Sequence, residues 1–166
     1  MFRKINDFVE LWKNESDSTL KMFDNLSDEK LNQKINNDVR TLGRLSWHIV
    51  QTLSELINQI GLSEKDDLKE MPIPNSVKEI KSTYNQLSEK LLSTIQKKWN
   101  DEDLNTVIEL YGERWSNSRI LGMLVNHEIH HRGQLTILMR LNGLKVPGVY
   151  GPSKEEWVNY GVDPQE

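Results

Sequence analysis

The residues best suited to chemistry lie in the segment from Ser118 to Asn142, which contains three of the chain's four histidines. His127 and His131 are four residues apart, a spacing that puts two side chains on one face of a helix with Cβ atoms roughly 5–6 Å apart. Apolar residues recur at three- and four-residue steps on both sides of this pair, which predicts that both imidazoles face the core. Buried imidazoles without a partner are costly, and a bound metal ion would remove that cost.

The fourth histidine, His48, is connected to this pair by a short repeat. The pattern Leu-Gly-x-Leu-x-x-His occurs at 42–48 and again at 121–127. If a helix pair is duplicated in the chain, His48 and His127 occupy equivalent inward positions. The sequence therefore predicts a metal site formed by His48, His127 and His131.

Three neutral imidazoles would leave a divalent cation its full charge and an open coordination position, which is typical of catalytic metal sites. Such an ion can polarise a substrate oxygen, lower the pKa of a bound water, or hold a thiol as thiolate. Imidazole binds zinc, nickel, copper and iron alike, so the expected cofactor is a divalent ion such as zinc or nickel. No side chain is assigned a catalytic role.

The same segment also satisfies the His-Glu-x-x-His pattern of zinc peptidases, in which the glutamate is the general base. The extended form of that motif is absent, because Gln134 and Ile137 occupy the positions of its glycine and third histidine. A distant carboxylate such as Glu155 would have to supply the third ligand. This alternative stays open, although we favour an exposed helix carboxylate for Glu128.

Three neighbours of the pair are expected to have other roles. His130 projects about 100° away from His131 around the helix, which predicts a partner on the flank or a contact that supports one of the ligands. Arg132 is expected to form a salt bridge. Gly133 costs about 1 kcal/mol relative to alanine in a helix, which indicates close approach by another element.

Apolar stripes of helical period predict an all-α fold, a four-helix bundle with a long crossover. The charged and then proline-rich stretch 63–75 is the crossover, 106–111 is a candidate short strand, and the glycine- and proline-rich tail is expected to be irregular. One domain over residues 1–166 is expected from the length. The predicted helices cover 2–23, 41–60, 76–99 and 118–142.

The composition restricts the class of protein. The 166 residues include no cysteine, which excludes disulfides and thiolate ligands. The net charge of −4 argues against a nucleic-acid partner. We expect neither a signal peptide nor a membrane partner, because no apolar run approaches the roughly 20 residues of a membrane span. A cytoplasmic protein is the expectation.

Two segments resemble a known family, the DinB-like (DinB/YfiT) superfamily of bacterial proteins. They are HEIHHRGQLTILMRLNGLKVPGVYG at 127–151 and TLGRLSWHIVQT at 41–52. The resemblance implies a four-helix-bundle metalloenzyme fold whose three ligands correspond to His48, His127 and His131. Characterised relatives include transferases and isomerases that use low-molecular-weight thiols such as bacillithiol. Many members of the family have no known activity, and homodimers are common among them.

Three functional hypotheses follow for a small-molecule substrate. The first is a metal-dependent transferase that activates a low-molecular-weight thiol co-substrate of the bacillithiol type. The second is a metal-dependent hydrolase of a small ester or amide, and the third is a dimeric metal-binding stress protein without turnover. A homodimer is expected from the resemblance and from the apolar residues at the start of the first helix, namely Phe2, Ile5, Phe8, Val9 and Trp12.

Overall fold

Four long helices make up about half of the chain in the computed structural model, which describes residues 2–164. The all-α four-helix bundle predicted from the sequence is confirmed, and each predicted boundary lies within a few residues of the observed one. The helices are α1 (Ile5–Phe23), α2 (Leu42–Gln59), α3 (Val77–Lys98) and α4 (Asn117–Leu141).

Side-chain caps define where the two histidine-bearing helices begin. The Thr41 hydroxyl accepts a hydrogen bond from the backbone N–H of Arg44 at the start of α2, and Ser116 accepts one from Arg119 at the start of α4. Each cap satisfies a backbone donor that the first helical turn leaves free. At the other end of α4, Gly143 adopts a φ of 73°, the left-handed conformation that terminates helices at glycine.

The packing order of the helices brings α2 and α4 together. Helix α1 packs against α3 and α4, and α2 also packs against α3 and α4, so α1 and α2 are diagonally opposite. In each half of the chain a 3-10 turn follows the first helix, at Asp28–Lys30 and at Asp101–Asn105, and in the second half a β-hairpin lies between that turn and the next helix. This order is what the sequence repeat predicts, and it makes the two repeat-related helices neighbours.

The apolar residues of α1 belong to the core of their own chain. Phe8, Val9 and Trp12 are almost fully buried, and Trp12 donates a 2.9 Å hydrogen bond from its indole nitrogen to Ser88 of α3. The exposed apolar face expected at the start of the first helix is therefore wrong for these three residues. The homodimer stays a prediction that depends on the family resemblance.

A β-hairpin lies between α3 and α4. Its strands β1 (Val107–Leu110) and β2 (Glu113–Ser116) pair antiparallel. Tyr111 and Gly112 form the turn, both with positive φ, as a two-residue turn between twisted strands requires. The sequence indicated only the first strand, because β2 has no clear alternation of apolar and polar residues.

The C-terminal tail is more ordered than the sequence predicted. A 3-10 helix spans Lys154–Tyr160, where an irregular segment was expected. The Lys21 ammonium of α1 donates to the backbone oxygen of Gly148, and Arg140 of α4 pairs with Glu155. These polar contacts hold the tail against α1 and α4. None of the helices within residues 2–164 is both long and apolar enough to cross a bilayer.

Gly43 is in close contact with a neighbouring loop, whereas Gly133 has open space beside it. The N–H of Gly43 donates a 2.8 Å hydrogen bond to the backbone oxygen of Leu31, and a Cβ at Gly43 would lie 3.0 Å from that oxygen. Nothing lies within 4 Å of where a Cβ of Gly133 would be. The close approach expected at Gly133 is therefore wrong, and a contact of that kind occurs at Gly43.

This contrast gives a stability prediction. Gly43→Ala should lower the free energy of unfolding by about 1–3 kcal/mol, because the new methyl group collides with backbone. Gly133→Ala should raise it by up to about 1 kcal/mol, because alanine favours the helix and meets no obstacle. Urea unfolding followed by circular dichroism measures both. Equal effects of the two variants would contradict the packing of α2 against the loop that contains Leu31.

Candidate metal centre

The three histidines proposed as ligands come together between α2 and α4. The Nε2 atom of His131 lies 3.1 Å from Nε2 of His48 and 3.0 Å from Nε2 of His127. One ring nitrogen of each histidine lies within 4.8 Å of the other two, and the group could hold a metal ion. The site thus combines residues separated by about half the chain.

The hydrogen bonding of His131 makes this arrangement fit a cation. Its Nδ1 atom lies 2.7 Å from Oε1 of Gln134, which fixes the proton on Nδ1 and leaves the lone pair on Nε2. That single lone pair faces the Nε2 atoms of both His48 and His127 and can accept only one good hydrogen bond. A tetrahedral ion with bonds of about 2.0–2.1 Å needs ligand nitrogens roughly 3.3 Å apart, close to the spacing observed.

All three imidazoles are held in the neutral form that metal binding needs. Burial lowers the pKa of His48 to about 4, and electrostatic repulsion of a proton by its neighbours His131, Arg40 and Arg44 lowers it further. Burial also lowers the pKa of His127 to about 4, again with contributions from the other histidines and Arg40. The pKa of His131 is lowered by burial as well. At neutral pH the cluster therefore offers uncharged donors.

The cluster lies at the bundle surface, not in its centre. His131 is buried, whereas His48 and His127 are only half-buried. The expectation that the pair faces the apolar core is therefore wrong in part, because the imidazoles open onto clefts. Accessible positions beside the donors are what a substrate requires.

Two clefts reach the cluster from either side of His130. The first, which we call the arginine cleft, has a volume of about 660 Å³ and is bordered by Arg40, His130, His131 and an apolar wall. The second, the tryptophan cleft, has a volume of about 780 Å³ and is bordered by Trp115, His127 and His130. Both volumes lie in the usual range of small-molecule sites, about 300–1,000 Å³.

A smaller cleft of about 340 Å³ borders His48 on its other side. Its walls are mostly polar and include Thr52, which the sequence repeat makes the counterpart of His131. The three histidines thus contact three different openings.

The family assignment follows from comparison with known proteins. A model described as the DinB family matches residues 1–166. The chain belongs to the DinB family. The resemblance inferred from the histidine motifs is therefore confirmed.

Relatives of this DinB-family protein include solved structures. It is 37% identical to the uncharacterized protein YrdA of Bacillus subtilis over 98% of both chains. Protein DinB of the same organism is 28% identical over 66% of this chain and 64% of its own. A crystal structure of a DinB-like protein from Bacillus cereus has a TM-score of 0.81 and 41% identity, and covers 90% of this chain and 100% of its own. A DinB-like protein from Bacillus subtilis, with a TM-score of 0.70, is 18% identical, which supports the fold alone.

Glu128 is in the bundle core of this DinB-family protein, so its expected exposure is wrong. The residue is 1% exposed, and its Oε1 atom accepts hydrogen bonds from Thr19 of α1, at 2.6 Å, and from Tyr84 of α3. Its other oxygen has no hydrogen-bond partner among the described residues. Glu128 is therefore engaged with two helices that carry none of the three histidines, which does not suit the general base of a peptidase.

Arg132 forms the salt bridge that the sequence predicted, but inside the bundle. Its guanidinium pairs with the buried Glu15 carboxylate of α1 and donates a 2.6 Å hydrogen bond to the Tyr150 hydroxyl of the tail. The Tyr150 hydroxyl also donates to Glu15 at 2.6 Å. Spacing could have revealed both core residues, because Glu128 and Arg132 continue the three- and four-residue steps from Leu121 to Leu135.

His130 is exposed on the flank of α4, as predicted. Its Nε2 atom lies 3.1 Å from the amide nitrogen of Gln134, whose oxygen contacts His131. One glutamine thus orients two adjacent histidines, and the sequence reading had not assigned that role to Gln134. Glu155 of the tail forms an ion pair with Arg140 of α4. The carboxylate considered as the third ligand of a peptidase-type site is therefore already paired.

The buried carboxylate generates a pH prediction. Burial raises the pKa of Glu128 to about 7 from its ordinary value of 4.5, against the opposing effects of Thr19, Tyr84 and Arg132. Between pH 4.5 and about 7, the folded state therefore keeps a proton on Glu128 that the unfolded state has lost. The free energy of unfolding falls as pH rises from the lower of these values to the higher. Glutamine at this position does not titrate. The free energy of unfolding of Glu128→Gln should therefore rise relative to that of wild type by up to about 3 kcal/mol between pH 5 and pH 8.

Urea unfolding of metal-free protein across this pH range measures the difference. Glu70→Gln, at an exposed position, is the matched control and should follow the wild type at every pH. A constant offset between Glu128→Gln and wild type would show that Glu128 titrates normally.

A second prediction concerns the ligands. His48→Ala, His127→Ala and His131→Ala should each reduce bound metal from about one ion per chain to a small fraction, because each removes one of three donors. His130→Ala is the matched control, because its exposed ring is outside the cluster, and it should retain the ion. Elemental analysis after gel filtration gives the stoichiometry. Metal retained in His48→Ala would favour the peptidase-type pair, and a metal-free wild type would exclude a metal role.

Proposed function

We propose that this protein is a metal-dependent transferase, a single domain over residues 1–166 in which His48, His127 and His131 hold a divalent ion such as zinc or nickel. The observation that carries the proposal is the meeting of two clefts at one cluster of neutral imidazoles. His131 borders the arginine cleft, His127 borders the tryptophan cleft, and His130 borders both. Two reactants bound in these clefts would both reach the cluster.

The ion, when bound, would lower the pKa of a thiol that enters its open position and so supply a thiolate nucleophile at neutral pH. The protein itself contributes the orientation of the histidine nitrogens that would bind the ion. Gln134 keeps the Nδ1 proton on His131 and aims its lone pair inward. Such contacts to the second nitrogen of a ligating histidine typically contribute about 10–100-fold in metal affinity or activity.

The transfer step needs no additional base. The thiol loses its proton to solvent, its sulfur attacks an electrophilic carbon of the second substrate, and a sulfur–carbon bond forms as the bond to the leaving group breaks. The leaving group departs with the electron pair of that bond. The clefts hold the two reactants next to each other, which replaces an encounter in solution with an oriented reaction.

Hydrolysis is the alternative that the same donors would support, because a metal ion also activates water. Two observations make it the weaker candidate. Glu128, the base that the His-Glu-x-x-His pattern supplies, is committed to Thr19 and Tyr84 in the core. A hydrolase of one small ester or amide also needs one substrate cleft, whereas the two larger clefts both border the cluster.

A direct assay tests the proposed reaction. Zinc- or nickel-loaded protein is mixed with chlorodinitrobenzene as electrophile and a panel of small thiols, and separately with nitrophenyl acetate without thiol. We expect a rate that saturates with both thiol and electrophile, and that falls at least about tenfold in His127→Ala because the ion is lost. Arg114→Gln, at an exposed position that borders none of the three clefts, is the control and should keep the wild-type rate.

The other hypotheses predict different results. Ester hydrolysis that needs the ion but no thiol would replace the transferase with a hydrolase. Stoichiometric metal without turnover of either substrate would favour the non-catalytic metal-binding protein.

A further inference from the structure

Arg40 differs from the other two arginines near the cluster because its guanidinium has no partner among the described residues. Arg44 donates a 2.9 Å hydrogen bond to Gln51, and the Arg119 guanidinium stacks 3.7 Å from the centre of the Trp115 ring. Within residues 2–164, the exposed Arg40 side chain makes neither a hydrogen bond nor an ion pair with protein. Its guanidinium is therefore free to bind a ligand.

Arg40 lies at the start of α2, beside a cleft that also reaches the cluster. The residue immediately precedes Thr41, which caps α2, and borders the arginine cleft beside His131. His131, one of the three proposed ligands, borders the same cleft as Arg40. An anion held by Arg40 would therefore share the arginine cleft with one of the three donors.

The opposite wall of the arginine cleft is apolar and open. Ile137 and Leu141 of α4 are 62% and 57% exposed, although both are large hydrophobic residues. They border the cleft with the buried Leu45 and Leu138. A hydrocarbon chain placed there would cover apolar surface that water now contacts, at a gain of about 25 cal/mol per Å².

We propose that the arginine cleft is a binding site for a small carboxylate with a short hydrocarbon chain, and that Arg40 is its anion-binding residue. The planar guanidinium can donate two parallel hydrogen bonds to a carboxylate, while the chain packs on Ile137 and Leu141. The inference rests on the proposed function in one respect: the ligand is the thiol substrate, and its sulfur reaches the histidine cluster. The thiol substrate is therefore an acid, not a neutral thiol.

Asp38 allows a second test, because its negative charge should affect binding of an acid in the direction opposite to Arg40. It borders the same cleft, and its carboxylate has no side-chain partner within the described residues. A ligand carboxylate is attracted by Arg40 and repelled by Asp38. Neutralising one residue should weaken binding of the acid and neutralising the other should strengthen it, whereas a general loss of structure would weaken binding in both variants.

The experiment compares two thiols of the same chain length by calorimetry on zinc-loaded protein. Mercaptopropionate should bind wild type roughly five- to tenfold more tightly than mercaptopropanol, the effect of a partly exposed charge-assisted hydrogen bond. Arg40→Gln should remove this preference and Asp38→Asn should increase it. Arg114→Gln, an exposed arginine that borders none of the three clefts, should leave it unchanged.

A metal-free measurement separates this inference from the proposed function. Propionate, but not propanol, should shift the side-chain Nε–H resonance of Arg40 in nitrogen NMR of metal-free protein. Absence of that shift, or a preference for mercaptopropionate that survives in Arg40→Gln, would overturn the anion site. Failure of the protein to bind zinc, with the propionate shift present, would overturn the transferase and leave the anion site supported.

Discussion

The rotation of α4 about its axis is the constraint on which the site depends, and buried charge sets that rotation. Glu128 and Arg132 lie one turn apart inside the bundle, where an ionised group without partners would cost several kcal/mol. Their partners come from three directions: Glu15 and Thr19 on α1, Tyr84 on α3, and Tyr150 in the tail. Turning α4 by one residue, about 100°, would break these contacts.

The same rotation determines where the imidazoles point. His127 and His131 each precede one of the two core residues by one position, so they project from the side of α4 that faces α2. Helix α2 presents His48 there because Leu42 and Leu45, six and three residues earlier, are buried in the core. A network without direct contact to the cluster thus positions two of its three donors.

The helices and their order were predictable because buried apolar residues recur at helical spacing in the sequence. The grouping of the three histidines was predictable because two of them share one helix face and the third lies in a repeated motif. What escaped prediction has a physical reason in each case. Glu128 was expected on the surface, and the salt bridge of Arg132 was expected without a location, because charged residues are rarely buried without partners and these partners come from distant segments. The second hairpin strand pairs through backbone atoms, with side chains that show little alternation. The contact at Gly43 depends on the path of a loop, which no local pattern specifies.

The separation of the donors along the chain has a consequence for how the protein assembles. His48 and His131 are 83 positions apart and meet only when the two halves of the bundle dock. The cost of closing a loop of that length is met by apolar packing, since loop-closure entropy grows only slowly with length. An ion at the cluster would join the halves after that docking and slow their separation, acting as a reversible cross-link and not as the nucleus of folding.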